Sequence, residues 1–318
     1  MIETYLLEEL VTFAKQQTLA KTAAALNVTQ PTITRGMQKL EQDLNVQLFD
    51  RQPNRISLTA TGQLAAQEAE KLLQDQQTFI TKIQNYEQSQ NRLLIETTLP
   101  GPLVFLTHLN DQLPANLTVN RDLITVAQLS DHLRNHQASL IFSNQEVLTA
   151  DIESRFIGTE NLIVNLQKFM YQANQSRITF HELEGMSFIV LSAIGAWKQV
   201  IQSAIPNAKF LYQPERMAFA EITKYSDFPY FSTNLSPWDP TVAVRDLQDD
   251  NRVGIPISDT SAHMPIYVSY LTSQRANVLP LLNQLSAAPG QLSSAIHNDE
   301  ATRIVCPGGD HSSLLNDN

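Results

Sequence analysis

Residues 19–44, LAKTAAALNVTQPTITRGMQKLEQDL, leave few folds open. An Ala-rich helix former runs from Leu19 to Leu26, and Asn27 tolerates the left-handed backbone that ends a helix. Thr29 is a good N-cap for a second helix, and Pro31 in its first turn has no amide proton to lose. Two helices joined by so short a turn are the signature of a helix-turn-helix.

At about 100° per residue, Ile33, Met37, Leu40 and Leu44 of the second helix share one stripe and are expected to face a core. Pro31, Thr34, Arg35, Gln38, Lys39 and Gln42 lie opposite, without a carboxylate among them. Arg bridges guanine O6 and N7, and Gln pairs with adenine N6 and N7, so such a face suits a major groove. For one helix alone, a merely solvated face is the stronger reading; the surrounding residues change that balance.

Leu26, Val28-Thr29-Gln30-Pro31, Ile33-Thr34-Arg35, Leu40-Glu41, Leu44, Val46, Leu48-Phe49, Arg51, Ile56, Leu58-Thr59 and Gly62 follow one another nearly without gaps. This segment resembles the winged helix-turn-helix of the LysR-type transcriptional regulators. Two positions depart from the family pattern, Ala20 where a capping Ser or Thr is common and Thr22 where a small Ala is usual, and Thr18 offers an alternative cap. The resemblance implies DNA contacts from Thr29, Gln30, Pro31, Thr34, Arg35, Gln38 and Lys39 on the recognition helix.

A first helix over about Glu3 to Gln16 presents Leu6, Leu10 and Phe13 to the same core. Val46 to Phe49 and Arg55 to Leu58 read as the two strands of a wing around Asp50-Arg51-Gln52-Pro53-Asn54. Arg55 near the tip suits a minor groove or a phosphate. For Arg51 a phosphate contact and an internal salt bridge stand equally. Thr59 caps a Pro-free helix from about Ala60 to Gln88, about 40 Å long. In it Ala65, Ala69, Leu72, Gln76, Phe79, Ile83 and Tyr86 alternate four and three apart, a heptad seam. Few apolar neighbours remain to cover that seam, which favours dimerisation over packing on its own domain. The family pairs two subunits there and presents two recognition helices to one pseudo-palindromic operator.

Net charge is −10, which looks hostile to DNA until its distribution is read. Residues 1–59 balance Lys15, Lys21, Arg35, Lys39, Arg51 and Arg55 against six acids, so the deficit lies wholly downstream. A locally cationic face still binds phosphate. A hydrophobic fraction of 42% supplies real cores, and the one cysteine, Cys306, excludes an intrachain disulfide framework. The N-terminus lacks a signal-peptide pattern, and the longest apolar stretch, near Phe188 to Trp197, is far short of the roughly 20 residues that span a bilayer. These features lead to the expectation of a cytoplasmic protein.

From Arg92 strands and helices alternate, which predicts an open, mainly parallel sheet or two of them. The resemblance implies a two-lobed α/β effector domain of the periplasmic-binding-protein (type II) kind. The expected organisation is a DNA-binding domain at 1–59, a linker and dimerisation helix at 60–90, and an effector domain at 91–289. Lobe one takes 91–163 and 268–289, lobe two 164–267, and 290–318 reads as a disordered tail.

Ligands of open α/β sheets sit beyond the carboxyl ends of strands. Thr97, Thr98, Ser143, Ser192, Trp197 and Phe231 hold such places, and Thr98 matches a family position that meets an effector carboxylate, so an anionic small molecule is the expected ligand. Ordinary turn chemistry is the competing account of each. Catalysis finds little support. His132 and His136, four apart on an expected helix, lack a third ligand, SAIGAW (192–197) is not a nucleophile elbow, and Asp249-Asp250 reads as a solvated turn. Neither a metal nor a cofactor is expected.

The reading is therefore a DNA-binding regulator with a homodimer or tetramer, an effector between the lobes, and RNA polymerase as partner if it activates. The alternative is an intracellular ligand-sensing protein whose N-terminal module mediates protein contacts; an enzyme stands third.

Overall fold

The computed structural model describes residues 1–53, 55–109, 113–239 and 251–287. The chain divides into two units, Met1–Asn91 with Asn135–Gln137, and the remainder from Arg92. The expected tail and Asp249-Asp250 lie outside the described residues, as does Cys306. No helix of the described residues is long and apolar enough to cross a membrane.

In the first unit, α1 (Thr4–Gln16), α2 (Leu19–Ala25) and α3 (Gln30–Leu44) form a three-helix cluster. Thr18 caps α2 by accepting from the Lys21 amide, and Thr22, at the unusual position, is buried and donates its hydroxyl to the Thr18 carbonyl. Asn27 adopts the left-handed conformation at φ 55°, and Thr29 caps α3 by accepting from Thr32 N. Leu6, Leu10, Phe13, Ile33, Met37 and Leu40 close the core, each contributing about 1.5–3 kcal/mol of burial. Leu44 does not join them. Asn45 turns left-handed immediately after it, ending the helix and leaving Leu44 37% exposed.

The wing pairs β1 (Phe49–Gln52) with β2 (Arg55–Leu58) antiparallel, Gln52 opposite Arg55. The first strand starts later than expected because the Leu48 and Phe49 amides donate to Glu41 Oε1, at 2.8 and 2.9 Å. Thr59 then accepts from Gly62 N and opens α4 (Ala60–Asn91), which is 32 residues long. Gly62 is required there, since a Cβ would lie 2.1 Å from the Leu48 carbonyl oxygen.

The second unit is built on a nine-stranded sheet. Its strands are β3 (Leu93–Thr97), β4 (Leu117–Leu123), β5 (Leu140–Ser143), β6 (Ile152–Gln167), β7 (Ser187–Leu191), β8 (Lys209–Gln213), β9 (Tyr230–Thr233), β10 (Arg252–Pro256) and β11 (His263–Leu271). They follow the order β4-β3-β5-β11-β6-β9-β7-β8, with β10 also on β6. The sheet is mixed, not mainly parallel. β3 runs parallel to β4 and β5, and β7 to β8 and β9. The strands joining the halves, β6 and β11, pair antiparallel with each other and with their other neighbours.

Among the described residues the α-helices of this unit are α5 (Pro100–His108), α6 (Leu129–Arg134), α7 (Trp197–Ala204), α8 (Arg216–Tyr225) and α9 (Arg275–Ala287). One core gathers Ile95, Phe105, Phe142, Val268 and Leu282, and another gathers Leu162, Val164, Phe188, Trp197 and Ile255. The 16-residue β6 contributes to both, which makes two lobes of one sheet. The helix after Thr125 is shorter than expected, with a 3-10 turn at Val126–Gln128 and α6 ending at Arg134. His136 therefore falls beyond the helix that carries His132, and His132 Nδ1 instead meets Glu96 Oε2 at 2.7 Å.

Candidate nucleic-acid interface and ligand cavity

The outer face of α3 carries exposed Pro31, Arg35, Gln38 and Gln42 and a half-buried Thr34, whose hydroxyl donates to Gln30 O. Its two expected cations differ. Arg35 makes no ion pair among the described residues, whereas Lys39 Nζ lies 2.6 Å from Glu3 Oε1 and over the Tyr5 ring. Their hydrogen bond holds the Lys39 pKa above its usual value and the Glu3 carboxyl below its own.

The same division holds in the wing. Arg51 meets Glu41 Oε2 at 2.8 Å, and Arg55 stands exposed without an ion pair among the described residues. Burial pushes the Glu41 carboxyl up, but the amides of Phe49 and Leu48 and the Arg51 guanidinium outweigh it, so the group ends below the usual range. Glu41 thus anchors the wing to α3.

Along α4 the seam divides in two. Ala65 and Ala69 pack into the core of their own unit. Leu72, Phe79, Ile83 and Tyr86 stand 56%, 65%, 54% and 50% exposed. Gln76, between them, accepts from the Thr4 hydroxyl at 3.5 Å.

In the second unit a cavity of about 650 Å³ opens between the lobes. Pro100, Val104, Trp197, Met217, Phe219 and Phe231 supply apolar wall, and Glu160, Asn165, Arg216 and Asp239 supply polar groups. Arg216 is paired with Asp239, and Asn165 Nδ2 donates to Ser232 Oγ at 2.8 Å. Glu160 is buried, its Oε2 without a hydrogen-bond partner. Burial pushes it to about 7, against smaller opposing effects of Thr233 and Trp197. Trp197 sits close enough to exert that effect, yet its Nε1 makes no well-formed hydrogen bond.

Residues 5–63 match the family model described as "Bacterial regulatory helix-turn-helix protein, lysR family". These residues form a LysR-family helix-turn-helix domain. The HTH-type transcriptional regulator YjiE of Escherichia coli (strain K12) is 28% identical over 155 residues, 48% of this chain and 51% of that protein. The HTH-type transcriptional regulator CitR of Bacillus subtilis (strain 168) is 28% identical over 121 residues, 36% of this chain and 42% of that one. The chain thus spans about half the length of these curated relatives, or less. The solved structure of Vibrio fischeri DarR in complex with DNA has a TM-score of 0.57 at 17% identity, covering 90% of this chain and 99% of that chain. At that identity the likeness is one of fold: an N-terminal helix-turn-helix followed by a two-lobed α/β domain.

In the LysR-family domain, Thr29, Gln30, Pro31, Thr34, Arg35, Gln38 and Lys39 all lie on or at the start of one helix, beside a wing bearing Arg51 and Arg55. The residues expected to meet an effector scatter more. Trp197 and Phe231 line the cavity, whereas Thr97, Thr98, Ser143 and Ser192 are not among its lining residues. The Thr97 hydroxyl donates to Leu99 O and accepts from Leu99 N, and the Ser143 hydroxyl donates to Gln145 O. Thr98 Oγ1 is buried without a partner. Sequence reasoning missed Glu160, although a signal existed. Glu160, Leu162, Val164 and Leu166 repeat at the period of two that puts strand residues on one face, so a carboxyl heads an otherwise apolar row.

Proposed function

We propose that this chain is a sequence-specific DNA-binding transcriptional regulator of the LysR type, acting in the cytoplasm as a homodimer or higher oligomer. In this reading α3 enters the major groove, the wing holds the backbone, and the exposed part of the α4 seam pairs two copies. A small molecule in the cavity of the second unit tunes DNA binding. It does so only to the extent that it binds one arrangement of the protein better than another. The observation that carries the reading is Arg35, which makes no ion pair among the described residues and is set among Gln30, Gln38 and Gln42 on the outer face of a LysR-family recognition helix.

The test begins with selection of bound fragments from the source genome and a footprint that survives competitor DNA. On the operator so found, Arg35→Ala costs about 1–3 kcal/mol and relaxes preference at one position. Arg55→Ala weakens binding uniformly across sequences and lowers the salt slope by about 1 per head. Wild-type affinity and preference in both variants would refute the face assignment.

A further inference from the structure

The cavity carries a chemical preference of its own. Among the described residues, only two of those lining the cavity are acids and only one is a cation, and the cation, Arg216, is held by Asp239. Glu160 has no ion-pair partner among them. Its carboxyl group lies against Gly101, where an added Cβ would come within 2.4–2.5 Å of its carboxyl atoms.

Gly101 stands in the first turn of α5, between Pro100 and Pro102. A helix N-terminus ordinarily offers amide protons to an anion. Here two of the first three residues are prolines and have none. The remaining amide belongs to the glycine over which the protein's own carboxyl already sits. An incoming carboxylate or phosphate would meet one occupied seat, few donors and a second acceptor. A molecule bringing an N–H or O–H would instead satisfy Glu160 Oε2, a buried acceptor otherwise left without a hydrogen bond. The surrounding Trp197, Phe219, Phe231 and Val104 ask for an apolar body behind that donor.

We propose that the cavity takes a predominantly apolar molecule bearing an amine or alcohol, held through Glu160, in place of an anionic effector. This rests on the regulator reading above, in which the cavity is the effector site.

Titration calorimetry of the full chain with phenylpropylamine, phenylpropanol and phenylpropanoate, and with their indolyl and octyl counterparts, tests it. The amines or alcohols are expected to bind at least about tenfold tighter than the matched carboxylates, the scale of one charge-assisted hydrogen bond. Glu160→Gln, nearly isosteric, weakens the amines by about tenfold, and Val104→Phe, which narrows the cavity with a ring on its apolar wall, weakens binding of every probe. Carboxylates that bind as well as or better than their partners overturn the proposal. So does silence from the whole panel, or a Glu160→Gln variant that holds amines as tightly as wild type. An operator footprint on the same preparations separates the two readings. Carboxylates that bind and alter the footprint sink the ligand class and leave the regulator standing; amines that bind a protein without an operator do the reverse.

Discussion

Inside the helix-turn-helix, Glu9 and Gly36 are a matched pair. Glu9 of α1 is 5% exposed, its Oε2 has no hydrogen-bond partner, and it fills the space a side chain on residue 36 would take. A Cβ there would lie 1.8 Å from Glu9 Oε2. Glycine in a helix interior costs about 1 kcal/mol relative to alanine, so this packing is achieved against helix propensity. Gly36→Ala alone is therefore expected to destabilise the domain, while Gly36→Ala with Glu9→Ala recovers the loss. A double-mutant cycle with additive effects would contradict the contact. Burial pushes the Glu9 carboxyl to about 7, above its ordinary 4.5. The folded state thus holds this proton more tightly than the unfolded chain. The stability it contributes is fully present below about pH 4.5 and is lost as pH rises through about 7, a difference of about 3 kcal/mol. Glu9→Gln should show more amide-exchange protection than wild type in α1 and α3 at pH 8, and nearly equal protection at pH 4.5. An equal gap at both values would mean the carboxyl does not titrate where its burial places it.

At the scale of elements, α4 carries a covered and an uncovered apolar stretch along one spacing. Its first turns spend Ala66 and Ala69 on the core of their own unit, and from Leu72 onward the apolar row loses its cover. Phe79→Glu with Ile83→Glu leaves that core intact and should convert the protein to monomer in sedimentation. Operator affinity should fall with it, because two half-sites must then be bound independently. A dimer that persists would place the pairing surface elsewhere. The helix-turn-helix was legible in the sequence because its signals are local: Thr18 and Thr29 cap, Asn27 turns left-handed, and Ile33, Met37 and Leu40 repeat at helical spacing. The wing strand was displaced because Glu41, several residues earlier, takes the Leu48 and Phe49 amides. The antiparallel course of β6 and β11 was not readable either, since strand direction follows from long-range connections that no local pattern records. The same limit governed the cavity. Thr97 and Ser143 have the right residue types at strand ends, but each hydroxyl is satisfied within two residues. Glu160 faces the cavity only because of how the lobes meet.

For the whole molecule, the proposed reading requires an acidic chain to bind DNA with few cations. The net charge is −10, and within residues 1–59 several positive groups are already engaged: Lys15 with Glu70, Lys39 with Glu3 and Arg51 with Glu41. Among the described residues of that segment, Lys21, Arg35 and Arg55 have no ion pair. Exposed pairs of this kind add little stability, about 0–1 kcal/mol each, so their principal consequence is electrostatic: they hold charge away from phosphate. Two heads of a dimer then offer about six free cations. Counterion release predicts a slope of log affinity against log salt near −5, shallow for a specific binder. Glu3→Gln frees Lys39 on each head and should steepen that slope by about 2. Fluorescence anisotropy on the selected operator between low and physiological salt measures both values. A wild-type slope of about −9 would show that Lys39 and Arg51 leave their carboxylates on binding. Glu3→Gln would then change nothing, because DNA would already have taken the lysine.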